Sequence, residues 1–156
     1  MTTEVQKRAV EVLLVEDNLA DIHLTTEAFA EGSIRPNLKV VRNGVEALEY
    51  LRRNGHHAKT SLPQLILLDL NLPKINGREL LAELKQDPDL KSIPVLVLST
   101  SQAPQDIQDC YNLHANCYVV KPSNIEEFAN TVRSIEGFWL TCARLPGSYR
   151  RKADSI

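Results

Sequence analysis

Three cysteines, Cys110, Cys117 and Cys142, are all that the sequence contains, and no two form a CxxC pair. Their odd number argues against a disulfide framework and for free thiols in a reduced, cytoplasmic setting, packed as small hydrophobes. No thiolate or imidazole is placed to build a zinc site. An excess of one charge is also missing: 18 Lys and Arg against 20 Asp and Glu leave a net charge of −2. Nothing marks nucleic acid as a bulk partner. Long apolar runs are absent too. No stretch approaches the length of a membrane span, and residues 1–10 lack the apolar core of a signal peptide. There is no internal repeat, low-complexity segment or interdomain linker. At 156 residues one domain is the default.

What is present is a set of short apolar runs that end in polar groups. The clearest is Leu65-Ile66-Leu67-Leu68-Asp69-Leu70-Asn71-Leu72-Pro73. Such a run reads as a strand buried on both faces of a parallel sheet. A charge inside that strand would be very costly, so Asp69 belongs at its carboxyl end. In open α/β sheets that edge is where ligands bind.

Four further strands read similarly: Glu11 to Val15, Leu38 to Val41, Ile93 to Ser99 and Cys117 to Lys121. Helices are expected between and after them. The first covers Leu19 to Glu31, with Ile22, Thr26 and Phe29 at helical spacing and Gly32 as its stop. The second covers Gly44 to Arg53, capped by Asn43 with Glu46 and buried through Val45, Leu48 and Leu51. The third opens at the Asn76/Glu79 cap, runs to about Gln86 and buries Leu80, Leu81 and Leu84. The fourth covers Pro104 to Leu113. Ser123 with Glu126 is expected to cap the fifth, whose inner face carries Ile125, Phe128, Ala129, Val132, Ile135 and Trp139. A polar loop is expected over 54–62. Strict alternation predicts an α/β fold, a five-stranded doubly wound parallel sheet in the order 2-1-3-4-5. Residues 1–10 read as a flexible arm, 11–144 as the domain and 145–156 as a polar, basic tail.

Parallel strands would gather their end groups on one edge: Glu16 and Asp17, Asp69, Ser99 and Lys121. Three acids gathered there repel one another unless a cation sits between them. Mg²⁺ suits them, since it takes oxygen ligands and commonly joins carboxylates to a phosphate. Lys121 supplies a compact charge for a phosphoryl oxygen and Ser99 a hydroxyl donor. This is equipment for phosphoryl transfer to a carboxylate.

The same residues resemble the receiver domain of two-component response regulators: an acidic pair, an aspartate, a Ser/Thr and a Lys-Pro after successive strands. Glu16-Asp17, Asp69, Ser99 and Lys121-Pro122 fill these places, with spacings from Asp69 of 30 (99 − 69) and 52 (121 − 69). The resemblance implies Asp69 as phosphoacceptor and Asp17, Asp69 and the Asn71 backbone carbonyl as Mg²⁺ ligands, with Glu16 acting partly through water. It further implies Ser99 as switch hydroxyl, Lys121 as phosphoryl contact, Tyr118 as aromatic switch and a cis bond before Pro122. His114 departs from the glycine common at its place and implies a left-handed backbone there. Ser101, small and uncharged, occupies the position that helps set dephosphorylation rate.

The 54–64 connection, the segment Leu113 to Tyr118 and Gly137-Phe138-Trp139-Leu140 resemble the small response regulators paired with cyanobacterial phytochromes. That resemblance implies a phytochrome-type histidine kinase as donor. It also implies a homodimer through the helix 4, strand 5, helix 5 face and the C-terminal aromatics. Phe138, Trp139, Leu140 and Leu145 exceed what one helix face buries, and Gly137 is expected to mark a bend. His23, His56 and His57 read as solvated surface. The expected function is a phosphoacceptor switch rather than an enzyme, with no room for an output domain after Leu145. Two rivals stand beside it. A degenerate receiver would act as a phosphorylation-independent scaffold. An aspartate-nucleophile phosphatase would want an acid where Asn71 stands.

Overall fold

A computed structural model describes residues 9–53 and 61–147. Residues 1–8 of the expected 1–10 arm, the loop residues 54–60 with His56 and His57, and the tail beyond 147 lie outside the described residues. Five parallel strands form one sheet: β1 (Glu11–Val15), β2 (Asn37–Val41), β3 (Leu65–Asp69), β4 (Val95–Ser99) and β5 (Cys117–Val120). Their order is β2-β1-β3-β4-β5, as the alternating pattern predicts. The intervening and final helices are α1 (Leu19–Ala30), α2 (Gly44–Leu51), α3 (Gly77–Gln86), α4 (Pro104–Asn112) and α5 (Ile125–Gly137).

The period-two geometry of a strand sends alternate residues to opposite faces. Leu13, Val15, Ile66, Leu68, Val95 and Val97 join one core with α2, α3 and Cys110. Val12, Leu14, Leu65, Leu67, Leu96 and Leu98 join the other with Ala28, Phe29, Phe128 and Val132. Every residue of β3 and β4 is buried, which is why these strands are apolar without alternation up to their last residues, Asp69 and Ser99. Registers Val15↔Leu68, Asp69↔Leu98 and Ser99↔Val120 bring the strand ends level. The strand order reverses between β1 and β3, so the carboxyl end of that pair opens a crevice.

Helix faces depart from expectation in places where several apolar positions compete. In α1 the buried stripe is Thr25, Ala28 and Phe29, while Thr26 is exposed and bonds the Ile22 carbonyl at 2.7 Å. Val45 is 38% exposed, whereas Leu48 and Leu51 are buried as expected and Ala47 and Tyr50 join them. Ile125, expected inside, is 67% exposed because it is the first residue of α5. The cap of α5 is Asn124, accepting from Glu127 N–H at 3.0 Å, one residue later than the expected Ser123. Only α3 shows the full reciprocal capping box, between Asn76 and Glu79. In α2 Glu46 reaches back to the N–H of Arg42, at 2.9 Å.

Gly32 lies just past the end of α1, and its place is set by space rather than by a left-handed backbone. A Cβ there would fall 1.9 Å from the carboxylate of Glu136, which is buried and accepts from Ile34 N–H at 2.7 Å. Gly137 does mark a change of geometry: residues Phe138–Cys142 form a π turn closed by Ala143 N–H to Phe138 C=O at 2.9 Å. Leu145, assigned by the sequence to the tail, is 6% exposed and packs in the second core. Cys110 is buried, whereas Cys142 is exposed, against the expectation of three buried thiols. His114 has φ +73°, the left-handed backbone its place requires.

Candidate functional site

The strand ends carry the polar groups to one edge. Glu16 follows β1, and its N–H continues the ladder to Val41 C=O at 3.0 Å. Its side chain is nonetheless buried. One carboxylate oxygen accepts from Lys121 Nζ at 2.7 Å, and the other from Asn18 N–H at 3.2 Å. Asp69 closes β3 and is buried, with Asn71 N–H 3.3 Å from its Oδ1. Glu16, Asp17 and Asp69 each place a carboxylate oxygen within 4.8 Å of the others. Lys121 is held just after β5, where its N–H bonds Ser99 C=O at 2.7 Å.

Burial raises the Glu16 carboxyl to about 7; a hydrogen bond with Asp69 pushes the same way, and Lys121 opposes both. Burial alone would lower the Lys121 ammonium. Hydrogen bonds to Asp21 and Glu16 and the charge of Asp69 outweigh it and raise its pKa. Three carboxylates, Glu16, Asp21 and Asp69, thus crowd around one ammonium, and a fourth, Asp17, gathers with Glu16 and Asp69. The edge is short of positive charge, and its donors are hard oxygens. Such a set fits a divalent metal ion, held by Glu16, Asp17 and Asp69.

Asp21 is the residue that strand-end reasoning misses. Its Oδ2 lies 2.8 Å from Lys121 Nζ. The signal was its spacing: it falls in the first turn of α1, four residues after Asp17, on the helix that leaves the same edge. Arg42 at the rim also went unforeseen; its guanidinium donates to Asp17 C=O at 3.1 Å.

Ser99 is buried, and its Oγ accepts from Ser101 N–H at 3.1 Å. Ser101 in turn donates its hydroxyl to Asp106, which also pairs with Arg78 from α3. Tyr118 is half-buried and donates to the Ser101 carbonyl at 2.8 Å. Ser99, Ser101 and Tyr118 are therefore linked by direct bonds. The bond before Pro122 is trans, not cis; the tertiary amide favours trans by about 0.5–1 kcal/mol. With it Lys121 N–H still completes the ladder to Ser99.

Comparison with known proteins places this geometry. Residues 12–133 match the response regulator receiver domain family. Response regulator Rcp1 from Synechocystis is 46% identical over 137 residues, 88% of this chain and 93% of that protein. The phosphorylated cyanobacterial phytochrome response regulator RcpA superposes with a TM-score of 0.87 at 51% identity, covering 90% of this chain and all of that one. Rcp1 in its Mn²⁺-bound form superposes with a TM-score of 0.84 at 46% identity, covering 87% and 98%.

Proposed function

This chain belongs to the response regulator receiver family, and on that premise we propose that Asp69 is its phosphoacceptor in a histidine-kinase phosphorelay. The observation that carries this reading is the convergence of Asp69, Lys121 and the Glu16/Asp17 pair at one strand edge, with Lys121 Nζ 3.7 Å from Asp69 Oδ2. In the transfer an Asp69 oxygen attacks phosphorus and a new O–P bond forms. The bond from phosphorus to the donor breaks, and its electron pair leaves with the donor. Lys121 offsets charge on the phosphoryl oxygens, and the Ser99 hydroxyl donates to them after giving up Ser101. Mg²⁺, held by Asp17, Asp69 and the Asn71 carbonyl with Glu16 through water, would supply charge neutralisation at the same oxygens.

The donor is a phytochrome-type histidine kinase. The likeness to Rcp1 and RcpA supports this. The receiver unit comprises the expected 11–144 together with Leu145, which packs in its second core, and works in the cytoplasm. Output runs through protein contact, including a homodimer on the α4-β5-α5 face and the C-terminal aromatics. Tyr111, Ile125 and Phe138 are exposed there, and Phe138 meets Trp139 edge-on at 5.4 Å. Asn71, where a phosphatase would want an acid, supports a switch rather than an enzyme. The test is transfer from a phosphorylated phytochrome-type kinase. Label should leave the kinase and appear on the wild-type chain but not on Asp69→Asn. A kinase that keeps its label with both chains would refute the assignment of donor.

A further inference from the structure

We propose that Asp21 is a positioning residue: with Glu16 it holds Lys121 so that one N–H remains for a phosphoryl group on Asp69. The inference rests on Asp69 being the phosphoacceptor. An ammonium carries three donors. Two are spent on Glu16 Oε1 at 2.7 Å and Asp21 Oδ2 at 2.8 Å. Asp69 Oδ2, at 3.7 Å, lies beyond hydrogen-bond distance. The third donor is left on the Asp69 side, with a gap that the oxygens of an added phosphoryl group would close.

Asp21 is itself fixed. Its N–H donates to the capping oxygen of Asn18 at 3.0 Å, which locks the first turn of α1. Its side chain is 24% exposed, against 6% for Lys121, so it approaches the ammonium from the solvent side. It stands outside the trio of carboxylates that can share a metal ion. Of the two carboxylates bonded to Lys121, Asp21 is therefore the one outside the metal's ligand set. Without Asp21 the attraction of Asp69 would draw the ammonium onto the nucleophile's own carboxylate. That contact would have to break before transfer.

The sign of the effect makes the inference testable. Removing an anion beside an anion-binding site ordinarily strengthens anion binding; positioning predicts the opposite. Beryllofluoride, a tetrahedral phosphoryl mimic that coordinates a carboxylate oxygen, is titrated into the full chain with Mg²⁺ and followed by ¹⁹F NMR. Mg²⁺ affinity is measured separately by calorimetry. Asp21→Ala should bind beryllofluoride about tenfold more weakly, the effect of one charge-assisted hydrogen bond, with a smaller loss of Mg²⁺ affinity. Asp21→Asn should lose less, since its amide oxygen still accepts from Lys121. Glu27→Gln, an exposed acid on α1 paired with His23, should match wild type. Equal or tighter binding by Asp21→Ala would overturn the inference. Should that variant fail to fold, equal or tighter binding by Asp21→Asn would do the same. A wild-type chain that binds no beryllofluoride would instead overturn the phosphoacceptor reading beneath it.

Discussion

The phenol of Tyr118 donates to the backbone carbonyl of Ser101 at 2.8 Å, tying β5 to the loop that follows β4. Ser101 also holds Ser99 through its N–H and Asp106 through its hydroxyl. One short residue therefore joins the proposed switch hydroxyl, the aromatic ring and α4. Moving Ser99 requires its bond to Ser101 to break, and the tyrosine is attached to the same residue. Tyr118→Phe should lower stability by about 0.5–1.5 kcal/mol, read from urea melts. Hydrogen exchange should rise first at Ser101 and its neighbours.

The Ser101–Asp106–Arg78 contact is sensitive to acid. The Ser101 hydroxyl, joined by Arg78 and opposed by desolvation, holds Asp106 below its ordinary value of 3.8. A depressed carboxyl contributes stability above its unfolded pKa and loses it as pH falls through the folded one. The melting temperature of wild type should exceed that of Asp106→Asn above pH 3.8. The difference should shrink as pH falls below it. A gap that persists in strong acid would assign the effect to packing.

Two glycines should respond oppositely to alanine. A Cβ at Gly77 would lie 2.4 Å from Leu70 Cα and 2.6 Å from the Asp69 carbonyl, both backbone atoms that cannot swing aside. Gly77→Ala should cost about 1–3 kcal/mol and slow phosphoryl uptake, because α3 is pushed off the Asp69 loop. Gly137, in α5 with nothing within 4 Å of a built Cβ, should gain about 0.5–1 kcal/mol as Gly137→Ala. Denaturant melts of both variants decide this.

The acidic trio should make stability depend on divalent cations. At 100 times the dissociation constant, Mg²⁺ should add about 2.7 kcal/mol, seen as a rise in melting temperature that chelator reverses. Asp17→Asn removes one of the three carboxylates and should abolish most of that rise. A variant that keeps the full response would remove Asp17 from the ligand set.

Much of this architecture was legible because the strands are extreme. Leu65 to Leu68 is apolar throughout since both faces are covered, and a carboxylate can follow only at the strand's carboxyl end, where other polar groups meet it. That logic places Asp69, Ser99 and Lys121 without any helix being right in detail. The helices were harder. An amphipathic segment with several apolar residues admits more than one stripe, so spacing alone turns Thr26, Val45 and Ile125 inward. Asp21 was hidden because helix-borne side chains reach the site by spacing rather than by strand ends. Leu145 was hidden because a lone leucine beside polar residues carries no period. Glu136 against Gly32 joins residues 104 positions apart (136 − 32), a pairing no local pattern announces.

The central claim is that Asp69 accepts a phosphoryl group. Intact mass after incubation with Mg²⁺ and acetyl phosphate tests it most directly, on wild type and Asp69→Asn, with and without chelator. The account predicts one added phosphoryl group on wild type, absent from the mutant and from the chelated sample. The same addition on Asp69→Asn, or none on wild type with any donor, would contradict it.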